Sequence, residues 1–535
     1  MLVLVVATAV VGYLALRVFQ ETATFDTDEA DHANAILELY YALRGGTWDG
    51  IESAILRQSF YPPLHSLTAL PVSFVLHPSL AASRLPSVIA LLLYSILFVV
   101  LVRRAVGDSI LSLTAGARTF AVMFCGLVAV TSPILVFNSA LCMLEPLGAL
   151  LMVLLLLVFA REGEEELSWN RIFLGATGVV LLFLTKYSFG IFALGGFGLF
   201  LLCQWFQGRV SFVRCIICAG YICLALAAWF LVSDWQKALS FVFDQPPARH
   251  ALLSSENIFF YPRVFFRMHV VHPWVGVMIL FFAILGLWND VHRPIVQLSW
   301  CLFVIGFAAL FLSPENGSRH IIPVIPPLFL LAAFGGAAFL EWGERTSGAF
   351  RLVWRSGCCL LVVGLLVTIF FRVQKFPETI TKRYESKPYF ANIFESIATL
   401  ASRGPVLVEG LSDSMSLEGL RWWVAKDLEI PYTKVKVDGF PFTSFQKIRA
   451  PIHSRNEAAP WVESNVPDKP LSDTLQSGYY RSFVRIYGTA VYHRLNNISE
   501  GSKKDLSEEY LETLMSTFQE IHGVRVQIYS VPVPS

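Results

Sequence analysis

The chain has 535 residues, of which 55% are hydrophobic and only 15% are charged, and its mean hydropathy is +0.58. A soluble protein of this length could not bury so much apolar surface, so the composition predicts that lipid surrounds much of the chain. The net charge of +1 argues against a nucleic-acid partner, which would require a dense basic face.

Apolar segments of about 20 residues, the length that crosses a bilayer, recur up to residue 373 and predict eleven transmembrane helices. Arginines concentrate in alternate loops, for example Arg103, Arg104 and Arg118, and the positive-inside rule therefore places the N-terminus inside. The first loop and everything after the eleventh span then lie outside. The spans are predicted at 1–19, 84–102, 117–137, 143–160, 171–187, 189–206, 212–232, 271–288, 295–313, 320–340 and 354–372.

The first outer loop, residues 20–83, carries helix signals and is not a slack connection. Thr27 can cap a helix that begins at Asp28 and ends at Gly45-Gly46. A second, short helix is predicted over 49–59, before the proline pair. Both helices are amphipathic, which is typical of segments that lie in the membrane interface.

Four acids, Asp26, Asp28, Glu29 and Asp31, stand at the start of this loop. Helix capping and solvation explain one or two of them. Four together repel one another, so the cluster indicates a compensating cation, a metal ion or a shifted pKa.

A second outer loop, 233–270, is long and aromatic; it could cover a lipid or an acceptor, or form an aromatic belt at the interface. From residue 374 the composition becomes mixed polar and aromatic, which predicts an extracytoplasmic α/β domain over 374–535. Its predicted elements are a strand at 405–410, a helix at 416–430, a strand at 482–495 and a helix at 508–523.

The order of several short motifs resembles the GT-C glycosyltransferases, in particular the protein O-mannosyltransferase and aminoarabinose-transferase superfamily. The motifs are Asp28-Glu29, Pro62-Pro63-Leu64, Arg84-Leu85-Pro86-Ser87, FLTKYSFGI (183–191) and RHIIPVIPPL (319–328). The resemblance covers about residues 20–340. It implies a mainly α, polytopic GT-C domain over 1–373, which includes both outer loops, followed by the tail domain.

This chain departs from the family pattern at three places. His320 stands where a tyrosine is usual, Glu145 where an aspartate is common, and Asp31-His32 where an Arg-Tyr pair is common. The departures concern the donor sugar and the acceptor more than the fold.

The resemblance implies transfer of a sugar from a polyprenyl-phosphate donor to an acceptor hydroxyl on a protein, a lipid or a glycan. It assigns the general base to Asp28, with Glu29 as the second candidate. If one carboxylate activates the acceptor and no covalent intermediate forms, the anomeric configuration inverts.

The anionic leaving group requires cations, and the candidates are Lys186, Arg319 and Arg84. Each has a structural alternative: Lys186 and Arg319 could snorkel to the interface, and Arg84 could anchor the start of its helix.

Glu145, His65 and His320 are candidates for binding the acceptor or a divalent metal ion. No spacing typical of a metal motif supports the metal, and no other cofactor is indicated. Simple exposure of Glu145 at the membrane boundary, and hydrogen-bonded structural histidines, are the alternatives.

The sequence thus predicts a multi-pass enzyme whose site and tail face the periplasm or the lumen of the endoplasmic reticulum. A lipid-sugar transporter or flippase and a noncatalytic membrane scaffold are the rival interpretations. A transporter typically has internal repeats and polar residues at mid-membrane depth, and neither is evident here.

Overall fold

A computed structural model gives the structure of the chain. It describes residues 1–20, 25, 27–56, 61–107, 113–160, 166–233, 255–312, 317–346, 348–373, 397–403, 406–409, 417–429, 437–440, 482–487, 516–521 and 524–530. Asp26, most of the second outer loop (234–254) and the start of the tail (374–396) lie outside these residues.

The first part of the chain consists of helices separated by short connections. Each of its predicted spans overlaps one of these helices, or a bent pair of them. The helices are α1 (Leu2–Gln20), α2 (Thr27–Gly45), α3 (Trp48–Leu56), α4 (Leu64–Leu76), α5 (Leu80–Gly107), α6 (Ala115–Val130), α7 (Pro133–Ser139), α8 (Glu145–Val158), α9 (Trp169–Thr185), α10 (Tyr187–Phe206) and α11 (Phe212–Val232).

Helices continue after residue 254, with one π-helical and one 3-10 turn among them. These elements are α12 (Ser255–Ile258), α13 (Phe260–Val264), the π-helix Phe265–His269, α14 (Pro273–Asp290), α15 (Pro294–Leu312), the 3-10 turn Ile322–Val324, α16 (Ile325–Glu344), α17 (Ala349–Val373) and α18 (Leu417–Asp427).

Eight helices of the described residues are long and apolar enough to cross a membrane, or nine if the bent pair α6–α7 is one span. The 14 residues of α8 and the 17 of α9 are fewer than the roughly 20 that cross a bilayer. The polytopic, mainly helical class is confirmed, and the count of eleven stays a prediction.

Helix α16 is the central helix of this bundle. Of its most apolar stretch, 89% is buried inside the protein, as expected of a helix that is hydrophobic all round. It packs against α14 so closely that a Cβ on Gly335 would lie 1.7 Å from the carbonyl oxygen of Phe282. Glycine is therefore required at this crossing.

Contacts divide the chain into two compact units. The first comprises Met1–Gln20, Ile55–Val72 and Arg84–Ile380, and the second comprises Glu21–Ala54, Ser73–Ser83 and Thr381–Ser535. The first outer loop is thus shared between the units, whereas it was predicted to belong whole to the transmembrane domain. The predicted domain boundary after residue 373 stays a prediction.

In the second unit, α2 packs against α18. The rings of Phe25 and Trp422 meet edge to face, with centroids 4.8 Å apart, and the Tyr41 hydroxyl donates to the carbonyl oxygen of Lys426 at 3.4 Å. Residues that follow the first candidate membrane helix therefore share one core with residues near the C-terminal end of the chain.

The second unit also contains a five-stranded mixed sheet in the order β2-β1-β3-β5-β4. Strand β1 is parallel to β2 and β3, whereas β5 is antiparallel to β3 and β4. Helix α18 lies between β1 and β2 in the chain, as a parallel crossover requires. The strands are β1 (Val406–Glu409), β2 (Val437–Phe440), β3 (Ser482–Tyr487), β4 (Ser516–Ile521) and β5 (Val524–Ser530).

The helix predicted over 508–523 is wrong in its described part, because residues 516–521 form β4. This strand contains the β-branched Thr517 and Ile521 and the aromatic Phe518, which suit a pleated surface. Its antiparallel pairing with β5, with Ile521 opposite Val524, satisfies the backbone there.

Candidate functional site

A buried carboxylate with two cations around it lies in the first unit. Glu145 is the first residue of α8, and its side chain is 1% exposed. Its Oε1 atom accepts a hydrogen bond from Lys186 Nζ at 3.3 Å and lies 3.6 Å from Arg319 Nε. The structure thus brings together three residues that the sequence marked separately. We call them the cation–carboxylate cluster.

Lys186 is the single residue between α9 and α10. Its extended backbone (φ −157°, ψ 131°) breaks the helix. Its N–H still donates to Leu182, and its carbonyl accepts from Phe189 and Gly190. The side chain is 12% exposed and its ammonium lies 5.5 Å from the Phe189 ring. Lys186 is therefore paired inside the protein, which favours the site interpretation over snorkelling.

Phe189 also fixes the distance between α8 and the start of α10. A Cβ on Gly148, one turn after Glu145, would lie 2.5 Å from Phe189 Cε2. Glycine at 148 therefore allows the close approach that brings Glu145 to Lys186.

Arg319 lies in a turn, residues 317–320, just before the 3-10 turn and α16. The His320 N–H donates to the Gly317 carbonyl at 3.1 Å, and the Ile322 N–H donates to the Arg319 carbonyl at 3.1 Å. His320 is buried and interacts electrostatically with Glu145. The turn thus positions both Arg319 and His320 close to Glu145.

His269, at the end of the π-helix, forms a hydrogen bond to the backbone of the same turn. Its Nε2 lies 3.1 Å from the carbonyl oxygen of Ser318, and because a carbonyl accepts, this nitrogen donates. Burial lowers the pKa of His269 to about 4, so the ring is neutral at physiological pH. His269 could not be singled out from the sequence, since nothing in its local pattern distinguishes it.

Ser87 of the Arg-Leu-Pro-Ser motif helps to position Glu145 through the backbone of Met143. Its hydroxyl donates to the Met143 carbonyl at 3.1 Å and accepts from the Met143 N–H at 3.2 Å. Met143 lies two residues before Glu145, so the motif fixes the segment that precedes α8. Arg84, three residues before Ser87, is 1% exposed, as expected of a residue in a packed role.

His65 lies in the first turn of α4 and is 4% exposed. Burial lowers its pKa to about 4, and the nearby Glu145 carboxylate partly opposes that shift. Because Glu145 already faces two cations, it is a poor metal ligand. Within the described parts of the chain, no group of three or more His, Cys, Asp and Glu is placed to hold a metal ion.

Asp28 and Glu29 belong to the second unit, in the first turn of α2. Asp28 is half-buried, whereas Glu29 is 1% exposed. Their position suits the positive end of the helix dipole, as the sequence suggested.

Comparisons with known proteins place the fold. No protein-family profile and no curated protein matches the chain. Among solved structures, ArnT from Cupriavidus metallidurans bound to undecaprenyl phosphate is similar at a TM-score of 0.64 and 15% identity, over 100% of this chain and 99% of ArnT. ArnT in the apo state gives a TM-score of 0.62 at 14% identity, over 98% and 97% of the two chains.

A more distant similarity is to the archaeal oligosaccharyltransferase AglB from Archaeoglobus fulgidus, in complex with an inhibitory peptide and a dolichol-phosphate. Its TM-score is 0.51 at 11% identity, over 96% of this chain and 72% of AglB. Both neighbours have the GT-C fold, so the GT-C fold predicted from the motifs is confirmed.

Proposed function

We propose that the protein is an integral-membrane glycosyltransferase that moves a sugar from a polyprenyl-phosphate donor to an acceptor hydroxyl. Two kinds of evidence support the proposal. The fold is that of ArnT, a structure of which contains undecaprenyl phosphate, and of AglB, a structure of which contains a dolichol-phosphate. The cation–carboxylate cluster supplies the chemistry that a lipid phosphate requires.

The single observation that carries the proposal is the convergence of Lys186 and Arg319 at breaks between apolar helices. Charges in such an environment are energetically costly and typically mark a functional site. The ammonium acts as a point charge and the guanidinium as a planar fork, and both bind phosphate oxygens. Their side chains stay 12% and 24% exposed, which leaves each within reach of a ligand.

Asp28 is the general base of the proposed reaction, with Glu29 as the second candidate. A half-buried carboxylate can contact an acceptor and take its proton, whereas the Glu29 side chain is buried. With one carboxylate as base and no covalent intermediate, the reaction inverts the anomeric carbon. The bond from that carbon to the phosphate oxygen breaks as the bond to the acceptor oxygen forms.

The site is proposed to face the extracytoplasmic side, in the bacterial periplasm or the lumen of the endoplasmic reticulum. This follows from the positive-inside orientation of the loops. The donor sugar is a hexose or a pentose, and the acceptor a protein, a lipid or another glycan.

The test is sugar transfer by the purified full-length protein. It is incubated with radiolabelled polyprenyl-phosphate sugars and with membrane extracts as the source of acceptor. We expect transfer from one donor, with a loss of at least a hundredfold in Asp28→Asn, as removal of a general base gives. Asp49→Asn is the matched control, because Asp49 is an exposed acid of the neighbouring helix α3 and should not matter.

Full activity in Asp28→Asn would exclude Asp28 as the general base but would leave the proposed glycosyltransferase activity standing. No transfer or hydrolysis from any donor would refute the proposed function and favour a transporter or a scaffold.

A further inference from the structure

The net charge of the cation–carboxylate cluster raises a question that phosphate binding alone does not answer. Two cations would bind an anion more strongly without a carboxylate between them. Yet Glu145 is buried against both, and its Oε2 atom is buried with no hydrogen-bond partner among the described residues. Burial of such a group is costly and requires compensation.

We infer that Glu145 sets the charge of the site to +1 and thereby makes it favour a phosphodiester over a dianionic phosphomonoester. The three contacting side chains, Lys186, Arg319 and Glu145, sum to +1. His65 adds no charge near neutral pH, because its pKa is about 4. His320 also interacts with Glu145, so the sum of +1 applies where the His320 ring is neutral, and the experiment below is made at pH 8.5 for that reason. This inference rests on the proposed function.

The charges of the proposed donor and product explain why +1 is useful. The donor is a diester, with one negative charge on its phosphate. Transfer breaks the bond between the anomeric carbon and the phosphate oxygen, and the acceptor hydroxyl loses its proton as the new bond forms. The lipid phosphate that remains is a monoester, whose second pKa of about 6 makes it largely a dianion above neutral pH.

The cluster is therefore neutral with the donor bound and carries −1 with the dianionic product bound. An unbalanced charge in a poorly hydrated site is unfavourable, so the product is bound more weakly than its two charges would otherwise allow. Glu145 thus promotes release of the lipid phosphate and limits product inhibition.

The experiment compares two ligands that differ in charge and carry no sugar. Dissociation constants of undecaprenyl phosphate and of its methyl ester are measured on the full-length protein in nanodiscs. At pH 8.5 the first is a dianion, the second is a monoanion, and histidine is neutral in most surroundings. Glu145→Gln keeps an acceptor oxygen but raises the cluster to +2.

We expect Glu145→Gln to shift the affinity ratio toward the monoester by about tenfold or more, since a unit charge a few ångströms away has at least that effect at an effective dielectric of about 20. Lys186→Met lowers the sum to 0 and should shift the ratio the other way. It also keeps the test decisive if the first variant does not fold.

The matched control is Glu344→Gln. It removes another buried carboxylate, paired with Arg355 at 3.2 Å, at the opposite end of α16 from the Arg319 turn. It should leave the ratio unchanged. An unchanged ratio in both cluster variants would overturn the inference and leave Glu145 as a purely structural residue. Failure of the wild-type protein to bind either lipid would refute the proposed phosphate site itself.

Discussion

The contact between Lys186 and Glu145 predicts a measurable coupling energy. At 3.3 Å and an effective dielectric of about 20, the attraction between the two charges is about 5 kcal/mol before desolvation. Arg319 still faces Glu145 at 3.6 Å when Lys186 is removed, so the carboxylate is not left unpaired. We therefore expect Lys186→Met to destabilise the protein by about 2 kcal/mol, below the 3–5 typical of a fully broken buried pair.

A double-mutant cycle isolates the pair. Lys186→Met, Glu145→Gln and the double variant are unfolded by SDS titration in mixed micelles, and the free energies of unfolding are compared. The coupling energy should be about 1–3 kcal/mol, as for residues in contact. Lys186→Met combined with Glu341→Gln, which alters a remote buried glutamate, should be additive. A coupling energy below about 0.5 kcal/mol between Lys186 and Glu145 would show that the two side chains do not pair.

Three further predictions follow from the residues around the cluster. His269→Leu should weaken polyprenyl-phosphate binding about tenfold with little change in kcat, because it removes the hydrogen bond to the Ser318 carbonyl. His269→Gln can still donate that hydrogen bond and should recover most of the affinity. Equal loss of affinity in both variants would exclude the positioning role. Gly148→Val should cost about 2–3 kcal/mol of stability in SDS unfolding because its side chain would overlap Phe189, and wild-type stability would contradict that packing. The pKa of His65 is lowered to about 4, so between pH 6.5 and 4 the unfolded state binds more protons than the folded state. The free energy of unfolding should therefore fall by about 3 kcal/mol as the pH falls through this range. His65→Gln should flatten this pH dependence, and an unchanged pH dependence would mean that other groups cause it.

Sequence alone predicted the helices well because their signals are local. Apolar runs of bilayer length predicted where the long helices lie, and Gly45-Gly46 predicted the end of α2. The tail was harder, since residues 516–521 take their conformation from pairing with β5, which no local pattern reveals.

The candidate site was predictable as a set of residues but not as a set of contacts. Lys186 and Arg319 stood out because a cation that interrupts apolar sequence is costly. The sequence left open whether Glu145 is simply exposed at the membrane boundary or has a function. Its burial beside both cations could not be predicted, since 41 residues separate it from Lys186. His269 was missed altogether, because its partner is a backbone carbonyl and every residue has one.

Helix ends explain why the cluster requires its internal counter-charge. Glu145 begins α8, where the helix dipole favours an acid. Lys186 follows the C-terminus of α9, which favours a cation, but it also precedes the N-terminus of α10, which disfavours one, so the two dipoles largely cancel at its position. The backbone therefore gives the ammonium little net stabilisation. The carboxylate at 3.3 Å provides it, and the phosphate of the proposed donor would compete with Glu145 for that ammonium and for Arg319.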